Sequence, residues 1–101
     1  MSRTLDVAIA DIPSDAGLIV EVDADLRIAV YRMGEAFHAI DNRCPHAGGS
    51  LGDGPFDGRN AMCPLHRFKV DVTTGRCPNS PFLRVTTYPV KRVGERLEIA
   101  V

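Results

Sequence analysis

Two short segments constrain this chain more than anything else in it: Cys44-Pro45-His46 and Cys63-Pro64-Leu65-His66. Each offers one thiolate and one imidazole within a few residues, and sixteen residues separate His46 from Cys63. Spacing this short lets a single tight loop aim both side chains at one point. Pro45 and Pro64 restrict the backbone beside each cysteine and reduce the entropy lost when the loops order. Two Cys and two His suit a tetrahedral Zn²⁺ ion. Zinc fingers, however, usually place a Cys pair on one knuckle and a His pair on the other.

Here both knuckles are mixed. A [2Fe–2S] centre with two Cys on one iron and two His on the other needs that mixture, and two mixed loops pressed face to face supply it. The spacing therefore favours iron–sulfur over zinc, with Cys44, His46, Cys63 and His66 as the candidate ligands. The three cysteines, Cys44, Cys63 and Cys77, are an odd count. In a short chain without a secretory signal, that argues against a disulfide framework and for metal or redox chemistry. Cys77 lies eleven residues past His66, outside both loops, and reads as a small buried thiol rather than a ligand.

The start of the chain lacks the charged head, apolar run and small-residue cleavage site of a secretory signal. Its apolar runs are too short to span a bilayer, so the expected location is cytoplasmic. Twelve Lys and Arg stand against thirteen Asp and Glu. Without a basic excess, neither nucleic acid nor a membrane surface is an expected partner. A chain of 101 residues is expected to form one domain, residues 1–101. So small a core gains from a metal cluster that ties two loops together.

The rest of the pattern is strand-like. Leu26, Ile28 and Val30 alternate with Arg27, Ala29 and Tyr31, a period of two that predicts a half-buried strand. Gly34-Glu35 turns it into a hairpin partner at Ala36 to Ile40. Further strands are expected at Thr4 to Ala10, Leu18 to Val22, within Leu83 to Val93, and at Arg96 to Val101. Pro89 predicts an edge position in the region 83–93. Between Asp41 and Phe82 five of the seven prolines and most of the glycines are concentrated. This loop-rich insert, about residues 42–82, is expected to carry function on a β scaffold. Short strands are expected in it at Arg59 to Met62 and Phe68 to Val72, with a tight turn at Thr74-Gly75 and a further loop at Pro78 to Phe82. Asp53 and Asp57 read as turn formers, and His38 as an ordinary strand residue.

The segment Asn42-Arg43-Cys44-Pro45-His46-Ala47-Gly48-Gly49-Ser50-Leu51 resembles the first cluster loop of Rieske ferredoxins, and Cys63-Pro64-Leu65-His66 with Phe68, Asp71, Thr74 and Gly75 resembles the second. The flanks Phe37 to Ile40, Tyr88 to Val90 and Leu97 to Ile99 extend the likeness to nearly the whole chain. The resemblance implies an all-β fold, an antiparallel β-sandwich base with a cluster-binding subdomain at one end. It implies one Rieske [2Fe–2S] cluster, with Cys44 and Cys63 on the inner iron and His46 and His66 on the outer, more exposed one. It implies a proline loop over the cluster, the part that falls to Pro81. Two departures stand out. Arg67 occupies a position where many relatives have Gly; it reads equally as a partner contact or as a solvent-exposed loop residue. The disulfide of respiratory members is ruled out, because its positions match Gly48 or Gly49 and Leu65.

Two ferric ions, two sulfides and two thiolates sum to zero, so an electron enters more readily than in a four-thiolate cluster. His ligation thus raises the potential into the range of about −150 to +300 mV. Respiratory members place Ser and Tyr donors near the cluster at positions matching Phe68 and Val70, neither of which donates; a low potential is expected. The resemblance implies an electron-transfer protein rather than an enzyme, taking electrons from a flavin reductase and passing them to a terminal oxygenase. Its docking end would lie near His46 and His66. The competing expectations are a small subunit of a larger redox enzyme such as assimilatory nitrite reductase, and a structural zinc-binding interaction module.

Overall fold

The computed structural model describes residues 3–45, 48–65 and 68–101. Eleven strands are formed among them: β1 (Thr4–Ala8), β2 (Leu18–Glu21), β3 (Arg27–Met33), β4 (Ala36–Asp41), β5 (Asn60–Met62), β6 (Lys69–Asp71), β7 (Arg76–Cys77), β8 (Ser80–Arg84), β9 (Thr87–Tyr88), β10 (Val90–Val93) and β11 (Arg96–Ala100). Every strand pairing is antiparallel. The strands build a three-stranded sheet in the order β1-β11-β10, a four-stranded sheet in the order β2-β3-β4-β9, and two ribbons, β5-β6 and β7-β8. The fold is all-β, and among the described residues no helix is long and apolar enough to cross a membrane.

Strand β3 departs from the half-buried expectation: Ile28, Ala29, Val30 and Tyr31 are all fully buried. The alternation is real, but both faces are covered. Ile28 and Val30 join Val7, Leu97, Ile99 and Ala39 in one apolar core, between the two larger sheets. Ala29 and Tyr31 join Ile40, Leu51, Phe56, Val70 and both loop cysteines in a second core, between the four-stranded sheet and the insert. A strand buried on both sides couples the insert to the scaffold, since any shift of β3 disturbs both cores.

Pro89 sits between β9 and β10, which belong to different sheets. It donates no hydrogen bond, and its carbonyl accepts the N–H of Ala100 at 3.0 Å. Both neighbours are edge strands, as a proline requires. The expected first strand ends early, because Ile9–Asp11 form a 3-10 turn. Of the segment Pro78 to Phe82 only Pro78 and Asn79 form a turn, and the rest is strand. Ser80 pairs with Cys77, so Pro81 and Phe82 lie in a strand of the β7-β8 hairpin. Its geometry follows from side-chain alternation: Leu83 packs against the insert core while Phe82 points away from it.

Candidate metal centre

The first loop is organised by Asn42, which is 4% exposed. Its side-chain oxygen accepts the Gly52 N–H at 2.7 Å, and its amide nitrogen donates to Ser50 Oγ at 2.8 Å. The backbone joins in: Asn42 N–H donates to the Arg27 carbonyl, and Leu51 N–H donates to the Asn42 carbonyl. One buried residue therefore fastens both ends of the loop to each other through its side chain and to the scaffold through its backbone. The sequence contained the signal, a polar residue immediately after the apolar strand β4, but assigned it no role.

Within that frame Cys44 is held by its own backbone. Its N–H donates to the Gly49 carbonyl at 2.8 Å, and its carbonyl accepts the Gly48 N–H at 2.8 Å. Gly48 has φ +70°, a left-handed conformation that an L side chain resists. The second loop closes in the same way, with Cys63 N–H donating to the Phe68 carbonyl at 2.8 Å. Below it, Met62 N–H donates to the Pro55 carbonyl at 2.9 Å. Both thiols are removed from solvent, Cys44 at 1% exposure and Cys63 at 0%.

The loops meet at Gly49. A Cβ built there would lie 2.8 Å from Cys63 Sγ and 3.0 Å from Leu65 Cδ1. A side chain at this position would occupy space directly against the second thiol, so the missing side chain keeps a cradle open around it. Soft thiolate donors in a dry setting, two from two rigid loops and none bridged as a disulfide, fit one half of a [2Fe–2S] core. His46 and His66, and with them Arg67, lie outside the described residues. The structure accordingly brings together the two cysteines of the expected ligand set.

Cys77 is buried at 3% exposure in the same core as Cys44 and Cys63, in line with the expectation of a small buried thiol. Burial pushes its thiol above the ordinary range, and the nearby Cys44 adds to the shift. The supports of the insert are turns, as expected for Asp57. Its carboxylate accepts the N–H groups of Asn60 at 2.6 Å and Arg59 at 2.9 Å, which hold its carboxyl below the usual range. Asp71 caps the β5-β6 ribbon. Burial opposes its ionisation, but the Thr73 hydroxyl at 2.6 Å and the Arg59 guanidinium at 2.9 Å prevail and lower its pKa. His38 is an ordinary strand residue, in register with Tyr31.

The family model for the Rieske [2Fe-2S] domain matches residues 4–89. The chain is similar to the ferredoxin component of a naphthalene 1,2-dioxygenase system from Pseudomonas aeruginosa, 38% identical over 94 residues, covering 92% of this chain and 89% of the relative. It superposes on a chain of the complex of reduced oxygenase and oxidized ferredoxin in carbazole 1,9a-dioxygenase with a TM-score of 0.83 at 28% identity, covering 92% of this chain and 96% of that one. A protein named as an NADH-dependent nitrite reductase small subunit from Mycobacterium tuberculosis superposes with a TM-score of 0.85, covering 100% and 96%. At 21% identity that last likeness shows the shared fold alone. Two buried thiols on two interlocked loops, the all-β scaffold and the match over most of the length leave one conclusion: the chain belongs to the Rieske [2Fe–2S] family and carries one such cluster rather than a zinc ion.

Proposed function

We propose that this protein is a one-electron carrier that takes electrons from a flavin reductase and delivers them to a terminal oxygenase. In this reading Cys44 and Cys63 hold the inner iron, and His46 and His66 the outer one. The insert 42–82 supplies all four ligands to a single domain spanning residues 1–101. When bound, the cluster supplies reversible one-electron storage. The protein's part is to bury the thiolates, to fix the first loop through Asn42, and to leave the imidazole end as the contact for partners. It catalyses no bond-making step itself and works in the cytoplasm.

The observation that carries this reading is the contact of Gly49 with Cys63, which ties one cysteine loop to the other with both thiols buried. The similarity to dioxygenase ferredoxin components over most of the chain supports the oxygenase as acceptor. It also favours the free carrier over the nitrite reductase subunit, for which the likeness is one of fold. Coulometric titration of the purified holoprotein tests the proposal: reversible uptake of one electron per chain is expected. A chain that takes up none, or a colourless chain with bound zinc, overturns it.

A further inference from the structure

The β7-β8 hairpin presents Phe82 to solvent at 94% exposure, an unusual position for so large an apolar ring. The ring is held out rather than loose, because Leu83 and Val85 on the same stretch are anchored in the insert core. Arg76, Pro81 and Arg84 surround it in one concavity. Arg84 also lines the adjacent cavity with Arg43 and Cys44, so this surface runs directly to the first cluster loop.

Arg3, Arg59, Arg92 and Arg96 are each paired with a carboxylate. Arg43, Arg76 and Arg84 line these two adjoining cavities and, like Arg27 and Arg32 elsewhere, make no ion pair among the described residues. The carboxylate lining the same cavity, Asp41, accepts the Arg43 backbone N–H at 2.9 Å. In a chain with a net charge of −1 this is a local positive field around an apolar knob. Exposed aromatic and arginine side chains together are the composition of interface hot spots.

Resting on the electron-carrier reading, we propose that the β7-β8 hairpin is the docking anchor for an acidic redox partner, one that offers an apolar pocket for Phe82 and flanking carboxylates for Arg76 and Arg84. The arginines steer the encounter, and the ring fixes the docked pose. The partner then lies beside the loop that carries Cys44.

Stopped-flow oxidation of the reduced holoprotein tests this, with acidic ferricytochrome b5 and basic ferricytochrome c as probe acceptors. The rate to cytochrome b5 is expected to fall as salt rises from about 20 to about 200 mM, and the rate to cytochrome c to rise. The R76E/R84E variant is expected to lose about tenfold of the low-salt rate to cytochrome b5 and to gain with cytochrome c. F82A is expected to lose about threefold with cytochrome b5 while keeping the salt dependence. Unchanged rates in both variants, with full one-electron uptake from dithionite, overturn the docking assignment alone. Failure of the parent chain to take up an electron overturns the carrier reading and this proposal together.

Discussion

Gly49 stands against Cys63 so closely that a single added methyl group would sit 2.8 Å from the Sγ atom. The contact joins the two halves of the site across the fold, and the thiol has little room to yield. Cys63 is fully buried, whereas Leu65 Cδ1, at 3.0 Å, ends an exposed side chain that can turn aside. Gly49→Ala is therefore expected to cost roughly 1–3 kcal/mol of stability by overpacking, and to lower the iron content of purified protein. Thermal unfolding together with iron analysis checks both. Wild-type iron content and melting temperature would show that the loops do not interlock there.

Asn42 supports the first loop from below. Asn42→Ala removes the acceptor for the Gly52 N–H and the donor to Ser50 Oγ, leaving a buried N–H without a partner. The expected loss is about 1–3 kcal/mol, with faster loss of the cluster on mild heating. Denaturant titration monitored by visible absorption measures both effects. Asn42→Asp keeps the acceptor for Gly52 and is expected to retain part of the stability.

Tyr31 carries a hydroxyl that is buried without a hydrogen-bond partner among the described residues. Burial pushes its ionisation well above the ordinary value of 10.0. A pKa raised in the folded state gives stability that is complete below the unfolded value and falls as pH rises beyond it. Stability should thus decline above about pH 10, by up to roughly 1.4 kcal/mol per pH unit for this one group. Tyr31→Phe is expected to shed that share of the alkaline loss. Near neutral pH it is expected to be neutral or stabilising by about 1 kcal/mol, since an unsatisfied polar atom is removed. The raised thiol of Cys77 and phenol of Tyr88 keep a residual slope in the variant.

Much of this architecture was legible in the residue pattern. The period of two over β3 and the Gly34-Glu35 turn located the central hairpin, and the short Cys–His spacing within each loop pointed to an iron–sulfur protein. Three features were not legible, each for a physical reason. Alternation reveals two faces but not what covers them, so the burial of both sides of β3 depended on the insert folding back over Ala29 and Tyr31. Pro78 and Pro81 suggested a loop, yet a two-residue turn between Cys77 and Ser80 still allows a ribbon, whose register shifts between Arg76 and Cys77 and leaves Pro81 out of the paired positions. Asn42 looked like a motif flank, because a buried polar group is recognised only once its partners are in place.

The positions matched to hydrogen-bond donors in respiratory relatives are Phe68 and fully buried Val70. The reduction potential is accordingly expected in the lower part of the range of about −150 to +300 mV. Phe68→Ser is expected to raise it by roughly 60–120 mV if the hydroxyl donates one hydrogen bond to cluster sulfur. Spectroelectrochemical titration of both proteins reads this directly, and a parent value near the top of the range contradicts it.

The central claim is that two mixed loops place Cys44 and Cys63 on one iron and His46 and His66 on the other. Pulsed electron paramagnetic resonance of the dithionite-reduced holoprotein tests it most directly. The account predicts a single-electron [2Fe–2S] signal coupled to two imidazole nitrogens, with one coupling lost or altered in each of His46→Cys and His66→Cys. A reduced cluster without nitrogen coupling, or a protein with no signal and a tightly held zinc ion, would contradict it.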